Sequence, residues 1–520
     1  SEGRSQPHLA ASTRRFDRAR TRLRSPVLAP VRVLPFLGRQ LRSVENLSGA
    51  AADVSRAASA AVETALEVLD RPRPPGPERV ERVRELARLA SAFERRLSRI
   101  DVGSDSRLIG PIAEGRRELL EEIADARLGL RKAAAGAEAM ADLLATPHTY
   151  LVFAANNAEM RAGSGMFLSV GTLSTGEGRL QLSGMTPVEG LPVPSGVPVT
   201  GDMAARWGFL HPSEDWRNLM LSPRFDASAA LAVQMWRGIG RGEVDGVLAI
   251  DPATLEAILA ATGPVDAGGR TVSAENVLQE LLHEQYVRYP TAVLRTERRE
   301  ELGELAAATF GRLDGGDWSP GALAAGLGEA ARGRHLMLWS KDPQAQRGWE
   351  AAGIDGRVPE DSLLVSLLNR GGNKLDQFLP VEARLELRPA KAYTDGRIVV
   401  TVRNQTPPGE PPYIAGPHPA LPLEPAEYLG ILATTLPGTA TRGRIDGVDQ
   451  LTVAGADGPA RVVGTEFQLE AAGRRTFTIR FRLPGPHGEL RVLPSARIPE
   501  ITWRFRSQTW TDSEAQTLRW

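Results

Sequence analysis

Two amides, a carboxylate and a guanidinium fall within six positions at Asn156, Asn157, Glu159 and Arg161, and Ser164 follows between Gly163 and Gly165. That is more polar chemistry than a surface turn requires. Apolar runs of β type flank it, YLVF at 150–153 and MFLSV at 166–170, with permissive glycines between. Side chains on a loop held by two rigid strands are well placed to bind a ligand. The same residues also suit local use, with Glu159 and Arg161 as an ion pair and the two asparagines capping backbone groups. At this point both readings stand.

Other chemistry is thinner. There is no Gly-rich phosphate loop, no HExxH pair and no GxSxG elbow. With no cysteine in the chain, disulfides, thiol nucleophiles and thiolate metal sites are excluded. The histidines are scattered and suggest no metal cluster; His283 beside Glu284 reads as a surface pair. Asp251 before Pro252 reads as a helix N-cap and Asp245 as a turn residue. Trp207, Trp216 and Trp236 suit core packing better than a sugar or lipid cleft. GSDSR at 103–107 looks like a fragment of a phosphate site, but no strand precedes it, and a helix-joining turn fits better. A cationic segment carries Arg288, Arg295, Arg298 and Arg299; Glu297, Glu300 and Glu301 lie at i,i+3 and i,i+4 spacing, so a solvated helix face explains 295–299 equally well.

The elements that must position these residues follow from apolar spacing. Residues 16–23 suit a helix, and the Pro-punctuated run 25–39 cannot continue it. Three stripes with three-four spacing, over 40–70, 80–100 and 112–144, predict long helices in a hairpin or three-helix bundle, a stalk or spacer. RPRPPGP at 71–77 stops the first. After Pro147 the pattern changes to α/β: strands over 150–154, 167–173, 179–184, 243–250 and 335–340, with helices over 225–239, 253–261, 274–286, 295–310 and 320–332. Alternating strands and helices imply a sheet covered on both faces. Beyond about 363 the pattern is β-rich (363–368, 383–388, 397–403, 461–470, 475–483, 501–505), which predicts a small antiparallel sandwich. The predicted architecture is a helical stalk over 1–146, an α/β domain over 147–382 and a β-sandwich-like domain over 383–520.

Size and charge bound the function. A chain of 520 residues exceeds one ordinary core. Lys+Arg and Asp+Glu are 63 each, so there is no basic excess of the kind a dedicated nucleic-acid binder carries. The cations are almost all arginine. No run of about 18 apolar residues occurs to span a bilayer. The chain starts at Ser1 with neither Met nor a charged-then-apolar leader. Ser1 is therefore expected to be a processing boundary, with any anchor upstream of it.

The segment order resembles the actinobacterial surface-protein family called domain of unknown function 4012. The resemblance spans about 20–440 and rests chiefly on YLVFAANNAEMRAGSGMF at 150–167. PFLGR at 35–39, NLMLSPRF ending at Phe225, VDGVLAIDP at 244–252, TGPV at 262–265, AENV at 274–277 and NKLDQFL at 373–379 support it. It implies an N-terminal transmembrane helix, an extracytoplasmic body at the cell surface, and association with exopolysaccharide. In its order of elements the middle domain is also similar to the LytR-CpsA-Psr phosphotransferases, which attach polyprenyl-pyrophosphate-linked glycopolymers to the cell wall. That likeness implies Arg161, Arg288, Arg295, Arg298 and Arg299 as cations for a pyrophosphate and Glu159 as a holder of Mg²⁺. Glu159 and Arg161 would then be catalytic, with Asn156, Asn157 and Ser164 binding ligand. The transferases carry an Arg-Ser-Asp-Thr-like loop; here Arg161 is followed by Ala162-Gly163-Ser164-Gly165, with no Asp. Two functions are expected from this: glycopolymer attachment or assembly on a polyprenyl-phosphate lipid, or a non-catalytic surface scaffold that binds cell-wall or capsular polysaccharide or serves its export. The missing Asp favours the second, the arginine segment the first.

Overall fold

The computed structural model describes residues 18, 21, 34, 36–69, 75–104, 107–291, 294–316 and 318–520. All but residues 18 and 21 of the helix expected over 16–23, the Pro-spaced run up to 33, most of the 71–77 stop and two residues of the 103–107 turn lie outside these. The chain divides into two compact units, 1–146 and 147–520.

In the first unit the predicted stripes are helices α1 (Leu37–Leu69), α2 (Pro77–Leu97) and α3 (Gly110–Ala145). Pro77 opens α2 at a position where its missing N–H is no loss. The stripe residues Leu97 and Ile123 form the common core with Ala50 and Val102, and Leu47, Val54, Phe93 and Leu119 pack on it. Glu94 on α2 accepts from both Arg127 and Arg131 on α3, each at 3.0 Å. At 1.5 Å per residue, α1 and α3 are each about 50 Å long. Among the described residues no helix is long and apolar enough to cross a membrane.

The second unit begins with a sheet of β1 (His148–Met160), β2 (Gly165–Gly176), β3 (Arg179–Leu182), β4 (Thr186–Pro187), β5 (Gly246–Ile250) and β8 (Met337–Ser340), in the order β3-β2-β1-β5-β8 with β4 on β2. Only β1 and β5 pair in parallel; β2 and β8 join antiparallel. A small hairpin, β6 (Val265–Ala267) and β7 (Arg270–Val272), stands apart. Helix α4 (Phe225–Gly238) lays Phe225, Ala229, Ala232 and Met235 on Leu151, Phe153, Val247 and Ala249. Trp216 and Trp236 belong to this core, and Trp207 is fully buried, so none of the three lines a cleft. Asp251 caps α5 (Pro252–Thr262), accepting from the N–H groups of Ala253 and Thr254. Helices α6 (Arg295–Gly315), α7 (Pro320–Arg332) and α8 (Pro343–Ala352) follow. The helix expected over 274–286 is instead a helical turn Val277–Gln279, a π segment Glu280–Glu284 and a turn Gln285–Arg288.

The C-terminal part is two packed six-stranded sheets. The outer sheet orders β13 (Thr441–Ile445), β16 (Arg474–Pro484), β11 (Tyr393–Arg403), β10 (Val381–Pro389), β18 (Thr502–Phe505) and β19 (Gln508–Thr511). The inner sheet orders β14 (Val453–Asp457), β15 (Ala460–Leu469), β12 (Tyr428–Leu436), β9 (Ser362–Asn369), β17 (Glu489–Val492) and β20 (Gln516–Arg519). Leu363, Val365 and Leu367 of β9 face the sandwich core with Val400, Ile479 and Trp503. Leu368 points the other way, into a cluster with Ala162, Trp207 and Leu221. The inner sheet is therefore a middle layer, which is why every residue of β9 is buried. The sequence reading puts 362–369 in the α/β domain ending at 382; in the structure that strand is central to the inner sheet, and contacts do not divide 147–520 at 382.

Candidate functional site

The polar turn sits where β1 ends. Register between β1 and β2 slips from Asn156 opposite Met166 to Met160 opposite Gly165, so residues 157–159 bulge out of the ladder. Glycine is required on the far side: a Cβ at Gly165 would lie 2.4 Å from the Asn156 carbonyl carbon. At Gly163 it would lie 2.8 Å from the Ser222 carbonyl oxygen. The bulge aims its side chains at the sandwich, and none of them at solvent. Asn156, Asn157, Glu159, Arg161 and Ser164 are all buried.

Asn156, Asn157, Glu159 and Arg161 are each met from another layer, while Asn157 Oδ1 and Arg161 Nε are buried with no hydrogen-bond partner among the described residues. Asn156 donates to the Tyr286 hydroxyl and accepts from the Ala158 N–H at 2.8 Å. Asn157 donates to Asp251 Oδ2 at 2.9 Å and to the Ala496 carbonyl at 2.6 Å. Glu159 is ion-paired with Lys374. The Met160 N–H donates to Asp376 Oδ2 at 3.0 Å. Arg161 donates from Nη1 to the carbonyls of Asn369, at 2.8 Å, and Met160, at 3.1 Å, while its own N–H reaches the Ser164 carbonyl at 2.8 Å. Asp376 also accepts from Asn369 Nδ2, from Tyr428 and, at 2.8 Å, from Arg497, with the Asp376 and Arg497 side chains fully buried. The turn, which sequence reading left open as a ligand-binding loop, is covered by the inner sheet and the 369–379 segment.

Electrostatics follow from that burial. Desolvation pushes the Arg161 guanidinium down to about 10, with Asp376 opposing it. It pushes the Lys374 ammonium down to about 7, again against Asp376, and the Glu159 carboxylate in contact pulls toward the charged form. Burial raises the Tyr286 hydroxyl to about 12. Lys374 lies over the rings of Tyr286 and Tyr413 at 5.3 and 5.4 Å, and Arg298 over the same two rings at 5.0 and 5.3 Å.

Of the four arginines that the resemblance implies as pyrophosphate cations beside Arg161, the structure brings in only Arg298, through Tyr286 and through the Tyr413 hydroxyl at 3.1 Å. Arg288 pairs with Glu280 and Glu301. Arg295 and Arg299 both pair with Glu189, at 2.8 and 2.6 Å. These three are consumed in local ion pairs and form no pyrophosphate clamp with Arg161. The Mg²⁺ site does not fit either. Glu159 faces an ammonium, Asp376 faces Arg497, and among the described residues no group of three carboxylates or imidazoles is arranged to hold a metal ion. Sequence reading missed Lys374, Asp376, Arg497, Tyr286 and the Asp251–His335 contact, 2.5 Å from Oδ2 to Nδ1. One signal was available: Lys374 and Asp376 sit in NKLDQFL, and lysine is scarce in this chain.

What fold and site define is an α/β layer whose polar turn is locked against a β-sandwich. Residues 145–286, from the end of α3 through the π segment to Tyr286, match the family model described as protein of unknown function, DUF4012. The resemblance carried by 150–167 is thereby shown over that segment. No curated protein and no solved structure matches the chain.

Proposed function

We propose that this is a membrane-anchored, extracytoplasmic envelope protein that holds polysaccharide without catalysis, with the three-helix unit as a spacer. The observation that carries it is the pairing of Glu159 with Lys374 inside the protein, beside an Arg161 that spends its Nη1 on two carbonyls. A transferase needs its cation and its metal-holding carboxylate open to a lipid pyrophosphate. Here both are spent on joining two layers. The α/β region is similar in its order of elements to the LytR-CpsA-Psr transferases; on this reading it keeps their scaffold and puts the turn to structural use. The surface location and the association with polysaccharide rest on the family resemblance.

The test is to incubate the full chain with Mg²⁺ and a polyprenyl-pyrophosphate-linked oligosaccharide, and in parallel to measure retention on immobilised polysaccharides. The expected result is retention on a glycan with no cleavage of the pyrophosphate. Cleavage, or glycosyl-phosphate transfer to an acceptor, overturns the reading; so does failure to retain any glycan.

A further inference from the structure

Most outward positions on the strands of the outer sheet are exposed or half-buried, and the composition of this face is unusual for a chain of zero net charge. The inward residues of its strands (Ala383, Leu385, Ile398, Val400, Phe477, Ile479) fill the sandwich core. By strand alternation, their neighbours point outward. Cross-strand register places Arg397 of β11 opposite Arg480 of β16, and Arg480 opposite Arg444 of β13. Arg384 of β10 stands opposite Arg504 of β18, and Arg403 opposite Arg474. Arg388 and Arg482 flank Asp395 on the next row.

Like charges directly opposite one another destabilise a sheet. Four such pairs lie on this face, and its carboxylates offset them only in part: Arg397 leans on Glu386, Arg480 and Arg444 share Asp446, and Arg403 pairs with Glu382. The carboxylates on or beside the face (Glu382, Glu386, Asp395 and Asp446) are four against nine arginines. Glu386 alone is shared by Arg384, Arg388 and Arg397 at 3.2–3.5 Å. The face therefore carries a five-charge excess, and Arg384 and Arg388 are 67% and 79% exposed.

We infer that this face is the binding site for a linear acidic polysaccharide, one bearing carboxylate or phosphate groups along its length; the inference rests on the proposed function and supplies its site. Arginine forks match such anions bidentately. The Arg397–Arg480–Arg444 row sets the Cα atoms of three arginines about 5 Å apart, strand to strand. Hydroxyls interleave with the arginines: Thr476 is exposed, bonded to the buried Thr401 hydroxyl at 3.2 Å, and Thr478 precedes Arg480 by two positions. Those groups suit sugar hydroxyls. A lipid surface is the poorer fit, because none of the exposed large hydrophobic residues lies on this sheet.

The test measures binding of the full chain to polygalacturonate, dextran, phosphatidylglycerol vesicles and a short DNA duplex, for the wild type and for Arg397→Ser/Arg480→Ser/Arg444→Ser. The substitutions relieve like-charge contacts but also remove the exposed ion pairs of Arg480 and Arg444 with Asp446 and of Arg397 with Glu386, so the melting temperature is expected to change little; Arg384→Ser/Arg504→Ser serves as a second variant if the first fails to fold. The expected result is wild-type binding to polygalacturonate that weakens with salt. The triple variant should bind roughly tenfold more weakly or worse, with any binding to dextran unchanged. Equal binding of polygalacturonate by wild type and variants overturns the site and leaves the proposed function standing. Preference for vesicles or DNA over polygalacturonate also overturns the site. Retention of neither glycan by the wild type overturns both.

Discussion

At the scale of single residues, the buried ions decide what the turn is for. Lys374→Met leaves Glu159 charged and unpaired in the interior, which should cost about 3–5 kcal/mol. Adding Glu159→Gln should recover part of that loss in urea unfolding, and additive effects would mean the two side chains do not meet. A second buried pair sets a pH dependence. Burial works to lower the His335 pKa, but the charge and hydrogen bond of Asp251 outweigh it, and the net shift is upward. A group with a raised folded pKa stabilises fully below its unfolded value, about 6.5 for histidine, and loses that contribution as pH rises through the folded value. The margin by which wild type exceeds His335→Gln in urea midpoint should therefore shrink as pH rises above about 6.5, whereas the lowered Lys374 makes the midpoint of both proteins rise with pH above about 7. These pairings were only half legible in the sequence. Glu159 and Arg161 stand out as charges in an apolar setting, but their partners Lys374 and Asn369 lie more than 200 positions away. Local spacing cannot supply a contact at that separation.

Elements were more readable where they bury one face. The three long helices carry three-four stripes, and the observed α1, α2 and α3 begin and end within a few residues of them. Strands β10, β11 and β16 alternate, since one face is core and the other solvent. Among the strands overlooked, β12 buries both faces and β13, β14, β19 and β20 are short edge pieces, and neither kind leaves a clear period of two. Strand β9 shows the consequence. Leu367→Ala opens a cavity in the sandwich core, and Leu368→Ala opens one against Ala162 and Trp207. Each should cost about 2–5 kcal/mol in chemical denaturation. If β9 bounded a sandwich with a solvated face, one of the two would be tolerated.

For the whole molecule, the family segment 145–286 is completed by residues far beyond it. Its turn is neutralised by Lys374 and Asp376, and its Asn157 reaches the Ala496 carbonyl. A fragment spanning 147–382 would keep β9 but lose β12 and β17, its partners, along with Arg497. It should show no cooperative melting transition, whereas 147–520 should melt as one. The most direct measurement is amide hydrogen exchange at Met160, whose N–H donates to Asp376 across the layers. If the turn is an internal lock, that amide exchanges only on global unfolding, as slowly as the amide of Val400 in the sandwich core. Exchange at the rate of a solvent-open loop would contradict the lock and reopen the turn as a ligand site.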